Sequence, residues 1–206
     1  MVISQATPYL LKGLMNEATT TGFQRQTQKR QQNPQQCING LMTTGVSFMV
    51  VPNDTKGNCT VPQMVVLDQG LYPYTGTGNV RGTCPLMTAV HTWEKTVVQP
   101  AAARHLRSPV AKIWEMGTYS CRNIAGTNKR SEHSKGNAID IGGFHLKNGQ
   151  KVTVLKDWGK NTPEGRFLRD VYQGSCRVFN GVLSPNYNAA HRDHLHLDVG
   201  GWRTCD

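Results

Sequence analysis

No stretch of this chain approaches the roughly 18–20 consecutive apolar residues that carry a helix across a bilayer, so no membrane span is expected. It has no CxxC pair, which argues against a zinc knuckle and against a thioredoxin-type redox motif. It also lacks a P-loop, a dinucleotide fingerprint, an EF-hand loop and a GxSxG nucleophile elbow. Positive charge is abundant, with 23 Lys and Arg against 13 Asp and Glu, yet it forms no long block. Aromatic residues are not interleaved with it, as a base-stacking platform requires, so no nucleic-acid partner is expected. The net charge of +10 is compatible with anionic membranes or an acidic polymer such as a bacterial wall, and so names a class of surface and not a partner. Met1 to Leu14 is weakly apolar and has neither a basic start nor a small-residue cleavage site, so it does not read as a secretory signal.

What the chain has is glycine, 21 in 206 residues, and an even set of six cysteines at wide spacing: Cys37, Cys59, Cys84, Cys121, Cys176 and Cys205. That pattern predicts disulfides in an oxidising compartment, hence a periplasmic or secreted protein. The missing signal leaves two routes open, a leader removed or delivery on a phage or other particle. The pair Cys121 with Cys176 is preferred, because each borders an expected site element.

Residues 1–36 read as an N-terminal extension or linker. The Gln-, Lys- and Arg-rich run Gln24 to Gln36 has little to bury, and an envelope or phage-particle partner could bind through it. Residues 37–206 read as one domain. Short apolar stretches at 46–51 and 63–67 predict strands, and 70–82 reads as a loop. Thr83 and Pro85 signal a helix start, with Pro100 kinking or ending that helix. Residues 110–116 fit a strand loosely. Strands at 137–146 and 151–155 flank Asn148-Gly149, a hairpin signal. Thr162-Pro163 opens a helix to about Tyr172, 184–190 is turn-rich, and 194–199 alternates as a last strand. Helices against an antiparallel sheet define an α+β fold, with disulfides expected to staple it.

Four of the seven histidines fall in two clusters, Ser131 to Asp140 and His191 to Asp198. Alternation along the last strand puts His194, His196 and Asp198 on one face and Leu195, Leu197 and Val199 on the other. Asp140 lies between Ile139 and Ile141, and a strand carboxylate among core residues costs desolvation energy unless it is paired or bound to a metal. His133, Asp140 and one histidine of His194 and His196 make an N,N,O donor set with a tetrahedral position left for water. Asp193 and Asp198 could orient imidazoles, or be a solvated charge and a strand-end partner. Ser131 could contact substrate or cap a turn. Trp158 and Tyr187 could line a groove, core packing being as good a reading of Trp158. Gly142-Gly143 marks a bulge or a close approach of backbone to substrate. His91, His105 and His145 read as structural or exposed.

The pattern Ser131-x-His133-x-x-Gly136-x-Ala138-x-Asp140 followed by His194-x-His196 resembles the zinc D-Ala-D-Ala peptidase superfamily. Within it, the chain is similar to the bacterial extensin-like C-terminal domain family, through Gly117 to Arg122, Ser131 to His133, Gly136 to Asp140, Asp157-Trp158, Cys176 to Phe179 and His191 to Asp198. The resemblance implies a D-Ala-D-Ala metallopeptidase-like fold and a zinc ion on His133, Asp140 and His196. It places His194 beside the metal water, His191 as a further active-site histidine, and Arg122 near a substrate carboxylate or developing oxyanion. The implied activity is hydrolysis of a peptidoglycan amide, with a D,D-endopeptidase expected. The alternatives are a D-alanyl-D-alanine carboxypeptidase and a non-catalytic wall-binding module that keeps a structural zinc.

Overall fold

The computed structural model describes residues 33–206. The N-terminal extension, with any partner bound through it, lies outside the described residues as far as residue 32. Helix α1 (Pro34–Met42) spans the expected domain start at Cys37, with Asn33 accepting hydrogen bonds from the backbone of Gln35 and Gln36 as its cap. There follow β1 (Ser47–Val51), β2 (Asp54–Lys56), β3 (Cys59–Val61), β4 (Met64–Gln69), β5 (Tyr74–Gly76), β6 (Arg81–Gly82) and α2 (Cys84–Trp93). A π-helical turn (Glu94–Val98) joins α2 to α3 (Gln99–His105), and β7 (Val110–Gly117) leads to a 3₁₀ turn (Glu132–Lys135). The chain ends with β8 (Ala138–Leu146), β9 (Lys151–Thr153), α4 (Val154–Asp157), α5 (Pro163–Ser175), β10 (Gly181–Leu183), a 3₁₀ turn (Ala189–His191), β11 (Leu195–Asp198) and β12 (Thr204–Cys205).

The architecture is mixed α+β. Seven strands form the main sheet, in the order β12-β10-β11-β8-β7-β5 with β9 paired to β8. Pairing is antiparallel except for β5 with β7 and β10 with β12, which are parallel. A three-stranded sheet, β1-β4-β6, and the β2–β3 hairpin stand apart from it. One face of the main sheet is the core. Ile139 and Ile141 of β8 pair with Leu197 and Leu195 of β11, and all four are fully buried. Alternation sends Asp140 and His196, also direct partners, to the opposite face.

Trp93, Phe144 and Phe167 centre the core, with ring centroids 6.1 Å and 5.0 Å apart in sequence. Burial of each such side chain stabilises by about 1.5–3 kcal/mol. The Trp93 indole N–H donates to Ser175 Oγ at 2.9 Å and so joins α2 to α5. Both helices start where capping chemistry predicts: Thr83 accepts from Leu86 N, and Thr162 accepts from Gly165 N.

Several expectations change. The segment 70–82 is not all loop. Tyr74–Gly76 pairs in parallel with Ile113–Glu115, and at Gly76 an added Cβ would lie 1.8 Å from the Glu115 carbonyl oxygen, so glycine permits the pairing. Asp54–Val61 forms a hairpin that apolar alternation does not announce. Register shifts interrupt β7, which is why its apolar alternation is poor. Pro100 does not end the helical run: the chain opens into the π turn just ahead of it, and Pro100 sits in the first turn of α3, where no N–H is needed. Gly142 lies opposite the shift between Trp114 and Glu115, and the close approach at Gly143 is to the carbonyl of Val152 on β9. The Asn148-Gly149 turn is as expected, Gly149 taking φ +87°.

Three disulfides form: Cys37–Cys84, Cys59–Cys121 and Cys176–Cys205. The preferred pair Cys121–Cys176 does not. Cys121 follows β7 and faces β3, its Cα 5.7 Å from that of Cys59, while Cys176 closes α5 beside β12. Among the described residues, no helix is long and apolar enough to cross a membrane.

Candidate metal centre

His133 is carried by the 3₁₀ turn before β8. Ser131 caps that turn, its hydroxyl accepting from the backbone N–H of His133 at 3.3 Å. Gly136 ends it in the left-handed region at φ +69°, where a residue with a Cβ is strained, and the chain turns directly into β8. Four residues later Asp140 projects from β8, and His196 projects from the facing position on β11. The 3₁₀ turn and the two strands thus aim three side chains at one point, all at or below 9% exposure.

His133 Nε2 lies 3.1 Å from His196 Nδ1 and 3.2 Å from Asp140 Oδ2, and His196 Nδ1 lies 2.9 Å from Asp140 Oδ1. One ligand atom from each residue falls within 4.8 Å of the others. The outer nitrogens are held as donors. His133 Nδ1–H donates to the Thr118 carbonyl at 2.6 Å, and His196 Nε2–H donates to Asp198 Oδ2 at 3.2 Å. In the neutral rings, His133 Nε2 and His196 Nδ1 then turn lone pairs toward each other and toward a carboxylate. Three acceptors cannot satisfy one another, so the arrangement needs a cation at its centre.

The electrostatics agree. Burial alone would push Asp140 up, but the bonds and charges of His133 and His196 outweigh it and hold the carboxyl well below its usual range. Burial would lower His196, but Asp140 and Asp198 raise it to about 9, so a proton can supply the missing positive charge. A divalent metal supplies it too, and two imidazoles with one carboxylate are a donor set suited to zinc.

Two further histidines adjoin. His194 Nδ1–H donates to Asp193 Oδ1 at 2.9 Å, which leaves Nε2 as the acceptor, 3.7 Å from Asp140 Oδ1. His191 follows Asn188, whose side-chain oxygen accepts from both Ala190 N and His191 Nδ1. Its ring is 5.1 Å from that of His194 and 6.0 Å from that of His196. Desolvation, with the neighbouring histidines, lowers His191 to about 4, so it stays neutral near pH 7. Arg122 lines the same cleft as His133 and Asp140, a space of about 680 Å³, and is exposed.

The structure therefore gathers His133, Asp140, His196, His194 and His191 at one place and sets Arg122 on the wall of the cleft. Tyr187 stacks edge-on to His191, and Trp158 packs on Tyr172 instead of lining the cleft. His105 bonds Asp170 at 2.8 Å, while His91 and His145 sit on α2 and β8 outside the cluster. Sequence reasoning missed the Thr118 carbonyl, since a backbone acceptor leaves no side-chain signature. It also missed Gly181, where a Cβ would lie 2.0 Å from Asp198 Oδ2.

Fold and site together define a disulfide-stapled α+β domain with a buried His-Asp-His cluster able to hold a metal ion. The family model for the extensin-like protein C-terminus matches residues 35–206, and the chain belongs to that family. No curated protein and no solved structure matches it.

Proposed function

We propose that this protein is a zinc-dependent hydrolase that cleaves an amide bond in bacterial peptidoglycan peptides, as a D,D-endopeptidase acting on crosslinks. The observation that carries the reading is the convergence of His133 Nε2, Asp140 and His196 Nδ1, each imidazole fixed through its other nitrogen. The motif resemblance to zinc D-Ala-D-Ala peptidases supports the same ligands and a fold of that kind. A metal held there supplies Lewis-acid activation of water and of a scissile carbonyl. His194 is the general base: Asp193 holds its Nδ1–H, so Nε2 is free to take a proton from water and to return it to the leaving amine. His191, neutral and adjacent, orients water or substrate through Nε2. Arg122 binds a substrate carboxylate or the developing oxyanion from the cleft wall. Three disulfides support a periplasmic or secreted setting, and the basic surface suits an anionic wall.

The test is digestion of purified crosslinked peptidoglycan, read by mass spectrometry, with zinc content measured in parallel. Wild type should release uncrosslinked peptides, whereas loss of only a terminal D-alanine would identify a carboxypeptidase. His196→Ala should lose zinc and activity while staying folded. His194→Ala should keep zinc and lose roughly 10²–10⁴-fold in turnover. Zinc-loaded wild type that releases nothing from walls of several crosslink types would remove the hydrolase reading and leave the wall-binding alternative.

A further inference from the structure

The helical layer carries a further cavity, of about 520 Å³. Its walls come from three places: Arg104 and His105 at the end of α3 with Arg107 just beyond, Gln150 in the β8–β9 turn, and Glu164 and Arg166 near the start of α5. Helices α3 and α5 pack through Ala101, Ala102, Phe167 and Leu168 into the core that holds Ile139 and Ile141. Asp140 and His196 project from the other face of the main sheet, so these helices and the metal centre lie on opposite sides of it.

The walls are tied to one another in a closed ring. Asp170 of α5 accepts from Arg104 Nη2 and from His105 Nε2, each at 2.8 Å, which joins α3 to α5. Gln150 donates to Glu164, which joins the β8–β9 turn to α5. Asn148 N donates to Ser108 Oγ at 3.2 Å and Lys147 N to the Pro109 carbonyl at 2.9 Å, which joins that turn to the segment after α3. The ring occupies both nearby carboxylates. Asp170 offsets Arg104, and Glu164 offsets one charge more. Arg166 donates only to neutral oxygens of Asn161, and exposed Arg107 forms no ion pair among the described residues. Three guanidiniums thus meet two carboxylates, with one positive charge left over.

Arg107 also sits in the left-handed region, at φ +50°. It follows the C-cap Leu106 of α3, the position where glycine is the usual solution and a side chain is strained. A cation is kept there at a cost to the backbone, on the rim of a framed cavity. The lining contains no Phe, Tyr or Trp on which a base could stack, and none of the exposed large apolar residues that would enter a bilayer. Guanidinium forks reach the space from α3, from the segment after it and from α5. A tetrahedral phosphate can accept from several sides at once, whereas a carboxylate offers two oxygens in one plane.

We propose that this cavity is a phosphate-binding site, and that it takes the phosphodiester groups of a polar, non-aromatic chain, with Arg107 and Arg166 as the residues that hold them. The site does not depend on the hydrolase reading.

The full chain, treated with a chelator so that phosphate has no metal to ligate, is titrated and followed through its backbone amide NMR shifts. Inorganic phosphate and an oligomer of glycerol phosphate should each shift the amides of residues 104–107 and 164–166. An oligoglutamate of equal charge should bind about 10-fold more weakly than the oligomer. Arg107→Gly should weaken oligomer binding about 10-fold, the factor a charge-assisted contact commonly contributes, without lowering Tm, since glycine suits the left-handed backbone. Arg166→Gln should weaken it by a similar factor, and decides the matter alone if Arg107→Gly is unstable. Lys129→Gln, which removes an exposed charge elsewhere, should change nothing. Association with phosphatidylglycerol vesicles should not depend on Arg107. The inference is overturned by absence of shifts at those amides, by oligoglutamate binding as tightly as the oligomer, or by dependence on Arg107 seen only with vesicles. It is overturned equally by Arg107 and Arg166 variants that bind the oligomer as wild type does, which would leave Arg107 as a cation stabilising the end of α3.

Discussion

Asp198 acts on the cluster at one remove. Its Oδ2 accepts from His196 Nε2 and its Oδ1 accepts from Gly200 N at 2.7 Å, so the carboxylate is clamped between backbone and imidazole. Gly181 on the next strand leaves the space it occupies. Gly181→Ala removes that space while slightly favouring the strand conformation, so its effect should fall on the position of Asp198. We expect zinc affinity to drop about 10–100-fold, the usual cost of losing a ligand's outer partner. Zinc titration against a chelator would measure it, and an unchanged affinity would show that Asp198 does not orient His196. At this scale the cluster was readable in part: alternation around Asp140 and along 194–199 places polar side chains opposite a row of Ile and Leu, but by itself it leaves His194 and His196 as alternatives. Their supports were not. The Thr118 carbonyl and the space at Gly181 are properties of neighbouring backbone.

At the scale of elements, the π turn between α2 and α3 is the least regular piece of the helical layer, and Glu94 is the residue that opens it. Its side chain is fully buried, accepting from Tyr74 Oη at 2.6 Å and from Leu71 N at 3.1 Å. These bonds tether the stretch that leads from β4 into β5. Desolvation outweighs both bonds and raises the carboxyl to about 7. A folded-state value above the unfolded one means that folding favours the protonated form. The contribution is therefore complete below about pH 4.5 and is lost as pH rises through about 7, amounting to about 3 kcal/mol in all. Thermal melts of wild type and Glu94→Gln across pH 5–8 should diverge, the wild type losing stability relative to the variant as pH rises. Parallel pH profiles would show that Glu94 ionises without strain. Helix starts at Thr83 and Thr162 were legible because capping is local chemistry. Strand β5 was not, because its bonds come from the edge of β7 and its Tyr-Thr-Gly composition is that of a turn.

For the molecule as a whole, the disulfides decide what moves with what. Cys37–Cys84 and Cys59–Cys121 interleave along the chain, the first tying α1 to the start of α2 and the second tying the β2–β3 hairpin to the loop after β7. An even cysteine count foretold bridges but not this interleaving, since pairing depends on which elements end side by side. The third bridge lies apart, holding β12 against the end of α5, where Thr204 and Cys205 pair in parallel with Gly181 and Val182. That two-residue strand is the outermost one on its side of the sheet, and the three-residue β5 is outermost on the other. Short borders of this kind offer few open backbone groups to a second chain. Removing residues 201–206 would uncover the Gly181–Leu183 backbone and leave Cys176 with a free thiol. We expect such a truncation to self-associate edge to edge, visible as a concentration-dependent rise in apparent mass by light scattering that persists in reductant. The final turn of the chain would then serve as a guard against polymerisation, and a truncated form that stays monomeric would show that this guard is not needed.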